Sequence, residues 1–85
     1  MKKRTEDILE MLRITRHDVP VGSRWAHYKG GCYQVCGHGF DTERGEINVT
    51  YHRVGGRNFD ARTESVIRYH RPLSEWNADR FKETL

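Results

Sequence analysis

Trp25-Ala26-His27-Tyr28-Lys29-Gly30-Gly31-Cys32-Tyr33-Gln34-Val35 places an aromatic and basic segment, a glycine turn and an alternating strand in direct succession. That is the pattern of a strand–turn–strand unit. Lys29-Gly30-Gly31 reverses the chain because glycine accepts positive φ without steric cost. Outward from this unit the sequence predicts five strands. They are Arg24 to Lys29, Cys32 to about Phe40, Glu46 to Val54, Val66 to Arg71, and a short one from Arg80 to Glu83. In the third, Ile47, Val49 and Tyr51 point one way and Asn48, Thr50 and His52 the other. Asp41 to Gly45 is a polar loop. Gly55-Gly56-Arg57-Asn58 opens a hydrophilic excursion around Phe59 that runs to Ser65, and Pro72 to Trp76 reads as one tight helical turn. Short antiparallel strands at this spacing predict a small barrel or a strongly bent sheet. The expected core is Tyr28, Val35, Ile47, Val49, Tyr51, Ile67, Leu73, Trp76 and Phe81.

Residues 1–4 read as a frayed basic tail. Thr5 is placed to cap a short helix with Glu6 and Asp7 in its first turn, where negative charge suits the dipole. Ile8, Leu9, Met11 and Leu12 form an apolar stripe at helical spacing. The stripe has two readings, a dimer contact or packing on its own domain. The helix is expected to stop near Arg16, ahead of Pro20, and Pro20-Val21-Gly22-Ser23 is a turn. The organisation is thus a tail and helix over residues 1–22 and a β domain over residues 23–85.

Eighty-five residues make one domain, and only 35% of them are hydrophobic, with a mean hydropathy of −0.90. The core is therefore thin, and a homo-oligomer is expected to supplement it. No apolar segment follows the basic N-terminus, and no run approaches the roughly 20 apolar residues of a membrane span. The expectation is a cytoplasmic protein without a membrane partner. The net charge of +3 is concentrated: residues 24–71 hold eight Lys or Arg against five Asp or Glu, with four of the five histidines. Anionic partners are favoured, although no run of consecutive basic residues marks a nucleic-acid stripe.

Catalytic chemistry finds little support. Cys32 and Cys36 lie too far apart along a strand, about 13 Å, for a disulfide. Together with His38, His52 and His70 they match no compact zinc motif. They read as two buried, reduced cysteines on one strand face. Ser23, Ser65 and Ser74 lack a nucleophile-elbow context, and Asp41, Glu43 and Glu46 are solvated loop carboxylates. Gly37-His38-Gly39 reads as a bulge rather than a phosphate cradle. No glycine pattern for nucleotide phosphates is present. The chain is expected to be no enzyme and to carry no metal and no cofactor.

Recognition remains. Aromatic faces come from Trp25, Tyr28, Tyr33, Phe59 and Tyr69, and donors for phosphate or carboxylate from Lys29, Arg53, Arg68 and Arg71. The candidate ligand-binding residues are His27, Tyr28 and Lys29 on one wall, and Arg68, Tyr69, His70 and Arg71 on the other, provided the two segments converge. The expected ligand is an anionic small molecule, nucleotide-like, with Tyr28 or Tyr69 stacked on a base. The alternative is a protein-interaction or nucleic-acid-binding adaptor.

Arg24-Trp25-Ala26-His27-Tyr28-Lys29-Gly30-Gly31, followed by Tyr33-Gln34-Val35 and Gly37, resembles the opening of a family of short uncharacterised bacterial and phage proteins, a domain of unknown function. Asp41-Thr42-Glu43, the strand Ile47 to Tyr51, and Arg71-Pro72-Leu73-Ser74-Glu75-Trp76 continue the resemblance, which covers about residues 24–81. It implies a small SH3-like β-barrel and no established activity. The Gly55–Ser65 excursion is longer than that family's usual turn, and the N-terminal helix lies outside the match. By analogy of size and context alone, some small phage proteins sequester nucleotide immune signals, and the same is expected here.

Overall fold

The structure, a computed structural model, describes residues 4–84, so most of the basic tail lies outside the described residues. The elements run α1 (Thr5–Asp18), β1 (Arg24–His27), β2 (Cys32–Asp41), β3 (Glu46–Gly55), α2 (Ala61–Glu64), β4 (Tyr69–Pro72), a 3-10 turn (Leu73–Glu75) and β5 (Phe81–Thr84). All five strands are antiparallel neighbours in one sheet of order β4-β3-β2-β1-β5. The mainly β class with a short N-terminal helix is therefore as the sequence predicts.

The barrel is not: the sheet stays open between β4 and β5. The reason lies in the linker. Pro72 has no N–H to donate and ends β4, and the 3-10 turn then leads the chain away to β5. Side chains cross the gap instead. The Arg71 guanidinium sits 5.5 Å over the Phe81 ring, and Glu75 pairs with Arg71 at 3.6 Å and Arg80 at 3.9 Å.

Register decides what each face carries. Trp25 and His27 of β1, Tyr33, Val35, His38 and Phe40 of β2, Ile47, Val49, Tyr51 and Arg53 of β3, Tyr69 and Arg71 of β4, and Phe81 of β5 share the inner face. A bulge at Cys36, skipped between the Val35–Tyr51 and Gly37–Thr50 pairs, moves His38 onto that face. It also interrupts the alternation that would put the two cysteines on one face. Both are free thiols, half-buried rather than buried.

The core consists of Val19, Val35, Ile47, Val49, Tyr51, Trp76 and Phe81. Trp76 and Phe81 stack at 3.9 Å, and Tyr51 meets Trp76 edge-on at 5.0 Å. Two expected members are misplaced. Tyr28 stands in the β1–β2 turn, 62% exposed, and Ile67 precedes β4, 41% exposed. Leu73 is only half-buried against the cluster.

Helix α1 begins one residue earlier than expected, at the residue expected to cap it. Arg4 holds the N-cap position without a side-chain bond, and Thr5 is the first helical residue. It ends at Asp18, not Arg16, because a proline restricts only the residue before it, here Val19. The helix is held at its C-terminal end. Thr15 and Val19 are buried, and His38 Nε2 donates to the Val19 carbonyl at 2.7 Å. The Thr15 hydroxyl is satisfied by the Met11 carbonyl at 2.7 Å. Ile8, Met11 and Leu12 are half-buried, whereas Leu9 and Ile14 are exposed. The apolar stripe thus packs partly on its own sheet. Among the described residues no helix is long and apolar enough to cross a membrane.

Candidate functional site

Strand alternation divides the late basic cluster. Tyr69 and Arg71 project from the inner face, whereas His70 pairs with Thr50 on the outer one, its Nδ1 2.9 Å from the Thr50 hydroxyl. Arg68 precedes β4 and donates to the Ser65 carbonyl at 2.6 Å. The expected wall of four consecutive residues is thus divided, with Tyr69 and Arg71 on the inner face, His70 on the outer one and Arg68 ahead of the strand. Val66 and Ile67, expected in the same strand, form a turn and a short coil ahead of it.

On the inner face the two segments do meet. The His27 ring packs 4.9 Å from Phe81 and 4.7 Å from Tyr28. Arg71 lies over the same Phe81 and donates from Nε to the Tyr51 hydroxyl at 3.3 Å. Lys29 Nζ stands 5.6 Å from the centre of the Tyr28 ring. Tyr69 stacks on Tyr51 at 5.6 Å and meets Tyr33 at 6.2 Å, deeper in the aromatic cluster and away from Tyr28. Arg80, absent from the expected set, completes the cationic group. Its carbonyl accepts from the Tyr28 N–H at 2.9 Å, which ties the β1–β2 turn to the start of β5.

A cleft of about 290 Å³ opens beside them, lined by His27 and Tyr28 with Arg80, Phe81, Lys82 and the acidic Asp79, whereas Lys29, Tyr69 and Arg71 are not part of its lining. A second, of about 520 Å³, lies between the end of α1 and β5. It is lined by Trp25, Trp76 and Phe81 with the carboxylates Asp18 and Glu83 and one cation, Lys82, so its chemistry does not suit an anion. The smaller cleft is the candidate site.

The pKa of His27 lies below the ordinary imidazole value. Burial lowers its pKa first, and the positive charges of Arg71, Lys29 and Arg80 lower it further. The Lys29 N–H donates to its Nδ1 at 3.2 Å, which leaves the proton on Nε2. His52, on the outer face, is shifted the same way by burial, then by Arg68 and Arg24. Its Nδ1 is buried without a hydrogen-bond partner among the described residues.

Both shifts carry a stability consequence. A histidine whose folded pKa is depressed leaves the fold unpenalised above the unfolded value of about 6.5 and destabilises it as pH falls from there through the folded value. The lowered carboxylate pKa values, those of Glu10 and Glu64, act below 4.5 and outside this window. The melting temperature is expected to fall between pH 7.5 and 5.5, and His27→Gln/His52→Gln to fall less over the same interval. Equal slopes in thermal melts of the two proteins would refute the assignment.

The Gly55–Ser65 excursion is anchored by Arg53. That guanidinium donates to Glu64 at 3.1 Å, to the Gly55 carbonyl at 3.1 Å and to the Arg57 carbonyl, with the Phe59 ring 5.9 Å away. Asp60 caps α2 by accepting from the Arg62 N–H at 2.9 Å, and Glu64 accepts from the Asp60 N–H at 3.0 Å. Gly56, at the start of the excursion, lies directly against Gly31 of the β1–β2 turn. Among the described residues no group of His, Cys, Asp and Glu is arranged to hold a metal ion.

No curated protein and no solved structure matches the chain. A family model does, over residues 23–83, from the residue before β1 to the penultimate residue of β5. The chain belongs to the family described as "Protein of unknown function (DUF1653)".

Proposed function

We propose that this protein is a non-enzymatic module that binds an anionic, nucleotide-like ligand in the cleft between the β1–β2 turn and the start of β5. The observation that carries the reading is that Arg71 and His27 both pack on Phe81, which lines the cleft together with His27, Arg80, Lys82 and the exposed ring of Tyr28, while Lys29 stands beside that ring. Cations supply charge-assisted bonds to phosphate. The Tyr28 ring supplies a flat face that costs little conformational entropy to use. One carboxylate, Glu75, is shared between two guanidiniums, so positive charge is left over for a ligand. The cleft volume sits at the lower end of the roughly 300–1,000 Å³ of small-molecule sites, which favours a single nucleotide over a long polymer. Binding without turnover makes the protein a sequestering or sensing module.

The test is a thermal-shift screen of mono-, di- and cyclic nucleotides. A ligand that binds only the folded state stabilises it by about 2.7 kcal/mol at one hundred times its Kd. A rise in melting temperature with one nucleotide class, absent for the matching nucleoside, is the expected result. No shift with any nucleotide would overturn the reading and favour a protein partner.

A further inference from the structure

Arg68 and His70, turned away from the cleft, fall into a second arrangement. Arg24 pairs with Gln34, and Gln34 with His52. Arg68 immediately precedes Tyr69, where β4 begins its pairing with β3, and its guanidinium, which donates to the Ser65 and Ile67 carbonyls, acts with that of Arg24 as a positive charge on His52. Arg24, Gln34 and His52 therefore form one transverse row on the outer face, with Arg68 beyond its His52 end, so that a guanidinium flanks the amide and the imidazole on each side. At the strand spacing of about 4.8 Å the three paired positions span roughly 10 Å. The adjacent row is Gly37, Thr50 and His70.

Three features set this face apart from an ordinary charged surface. No salt bridge among the described residues involves Arg24 or Arg68. The carboxylates that the paired strands place on this face, Asp41 and Glu46, are register partners at the far end of β2 and β3, about 20 Å along the strand from His52. Beside the row, Gly37 and Gly39 leave open floor, since a Cβ at either would meet no atom within 4 Å. Glycine within a strand permits close approach of another backbone.

We propose that this outer face binds the sugar–phosphate backbone of duplex nucleic acid, through Arg24, Gln34, His52 and Arg68 with Thr50 and His70 beside them. The duplex is favoured over a single strand because unpaired bases are held by stacking on aromatic rings, and Trp25, Tyr33, Tyr51 and Tyr69 all project from the opposite face. Phosphate contacts need only cations and hydrogen-bond donors, and they carry no sequence preference. This proposal is independent of the cleft and involves none of its residues.

The experiment is fluorescence anisotropy of the intact protein with a short labelled duplex DNA of arbitrary sequence, across a salt series. Binding is expected to weaken linearly in log salt. Arg24→Ala/Arg68→Ala is expected to weaken it at least ~10-fold and to reduce the salt slope by about 2. Lys29→Ala/Arg71→Gln, which removes two cations beside the cleft, is expected to leave duplex binding unchanged. Arg24→Lys/Arg68→Lys retains the charges and is expected to restore most of the affinity, which separates lost contacts from lost folding. Absence of duplex binding at low salt, a double-Ala variant equal to the parent, or tighter binding of the matching single strand would each overturn the proposal.

Discussion

Gly56→Ala is expected to destabilise the protein by about 3 kcal/mol, the largest loss anticipated from adding one methyl group at any of its glycines. Gly56 has φ +108°, which disfavours any side chain. A Cβ there would also stand 2.6 Å from the Gly31 Cα and 3.1 Å from the Gly31 nitrogen. Both are backbone atoms of the turn that carries Tyr28 and Lys29, so no rotamer change relieves the overlap. In a domain of this size 1 kcal/mol corresponds to roughly 4–8 °C, and the melting temperature should fall by roughly 12–24 °C. Gly22→Ala is the control. Its φ is +90°, but its Cβ would meet nothing within 4 Å, so it bears the conformational cost alone, about 1–2 kcal/mol. Equal losses in thermal or urea melts of the two variants would show that the Gly31–Gly56 contact contributes nothing.

That contact illustrates what the sequence conveys and what it does not. Positive φ at Gly30, Gly31 and Gly56 follows from local turn chemistry and is visible in the glycine pairs themselves. Their mutual approach is not, because it depends on how the excursion folds back. The alternation Ile47, Val49, Tyr51 was equally plain, since a strand buried on one face writes its period into the chain. Ile67 carries no such pattern, and its apolar character alone suggests a place in β4, whereas pairing begins only at Tyr69. Helix α2 had a readable sign in Asp60 followed by Glu64, a capping acceptor and a carboxylate one turn on. The surrounding hydrophilic residues concealed it, because α2 buries no residue and so has no apolar stripe to display.

At the candidate site the types of residue were legible and their faces were not. Tyr69 and Arg71 against His70 is a matter of strand parity, and parity is fixed only when the first paired residue is known. Arg80 joined the cluster through a backbone bond from Tyr28, a long-range pairing that leaves no local mark. The open edge between β4 and β5 was hidden for a related reason. Strand count alone does not distinguish a closed barrel from a bent sheet, and closure fails here because a proline ends β4 and a 3-10 turn separates it from β5.

Lys29→Ala/Arg71→Gln is expected to weaken binding of the nucleotide identified by the thermal screen by roughly 100-fold or more. Hydrogen bonds to charged groups contribute about 1.5–3 kcal/mol each, and 1.4 kcal/mol is one factor of ten. Glutamine is preferred to alanine at position 71 because part of the Arg71 stem then still covers Phe81. The opposite change is equally informative. Glu75 competes with any anion for Arg71 and Arg80, and its side chain is 45% exposed. Screening limits such a pair to at most about 1 kcal/mol, so Glu75→Gln is expected to tighten binding by no more than about fivefold. Removing positive charge and removing negative charge thus shift the affinity in opposite directions, which loss of folding cannot do. Titration calorimetry on the parent and both variants measures this directly. If the double variant binds as the parent does, the ligand lies elsewhere. If Glu75→Gln weakens binding, its carboxylate positions the guanidiniums rather than competing for them, and the ligand is not held by the charge left over at that pair.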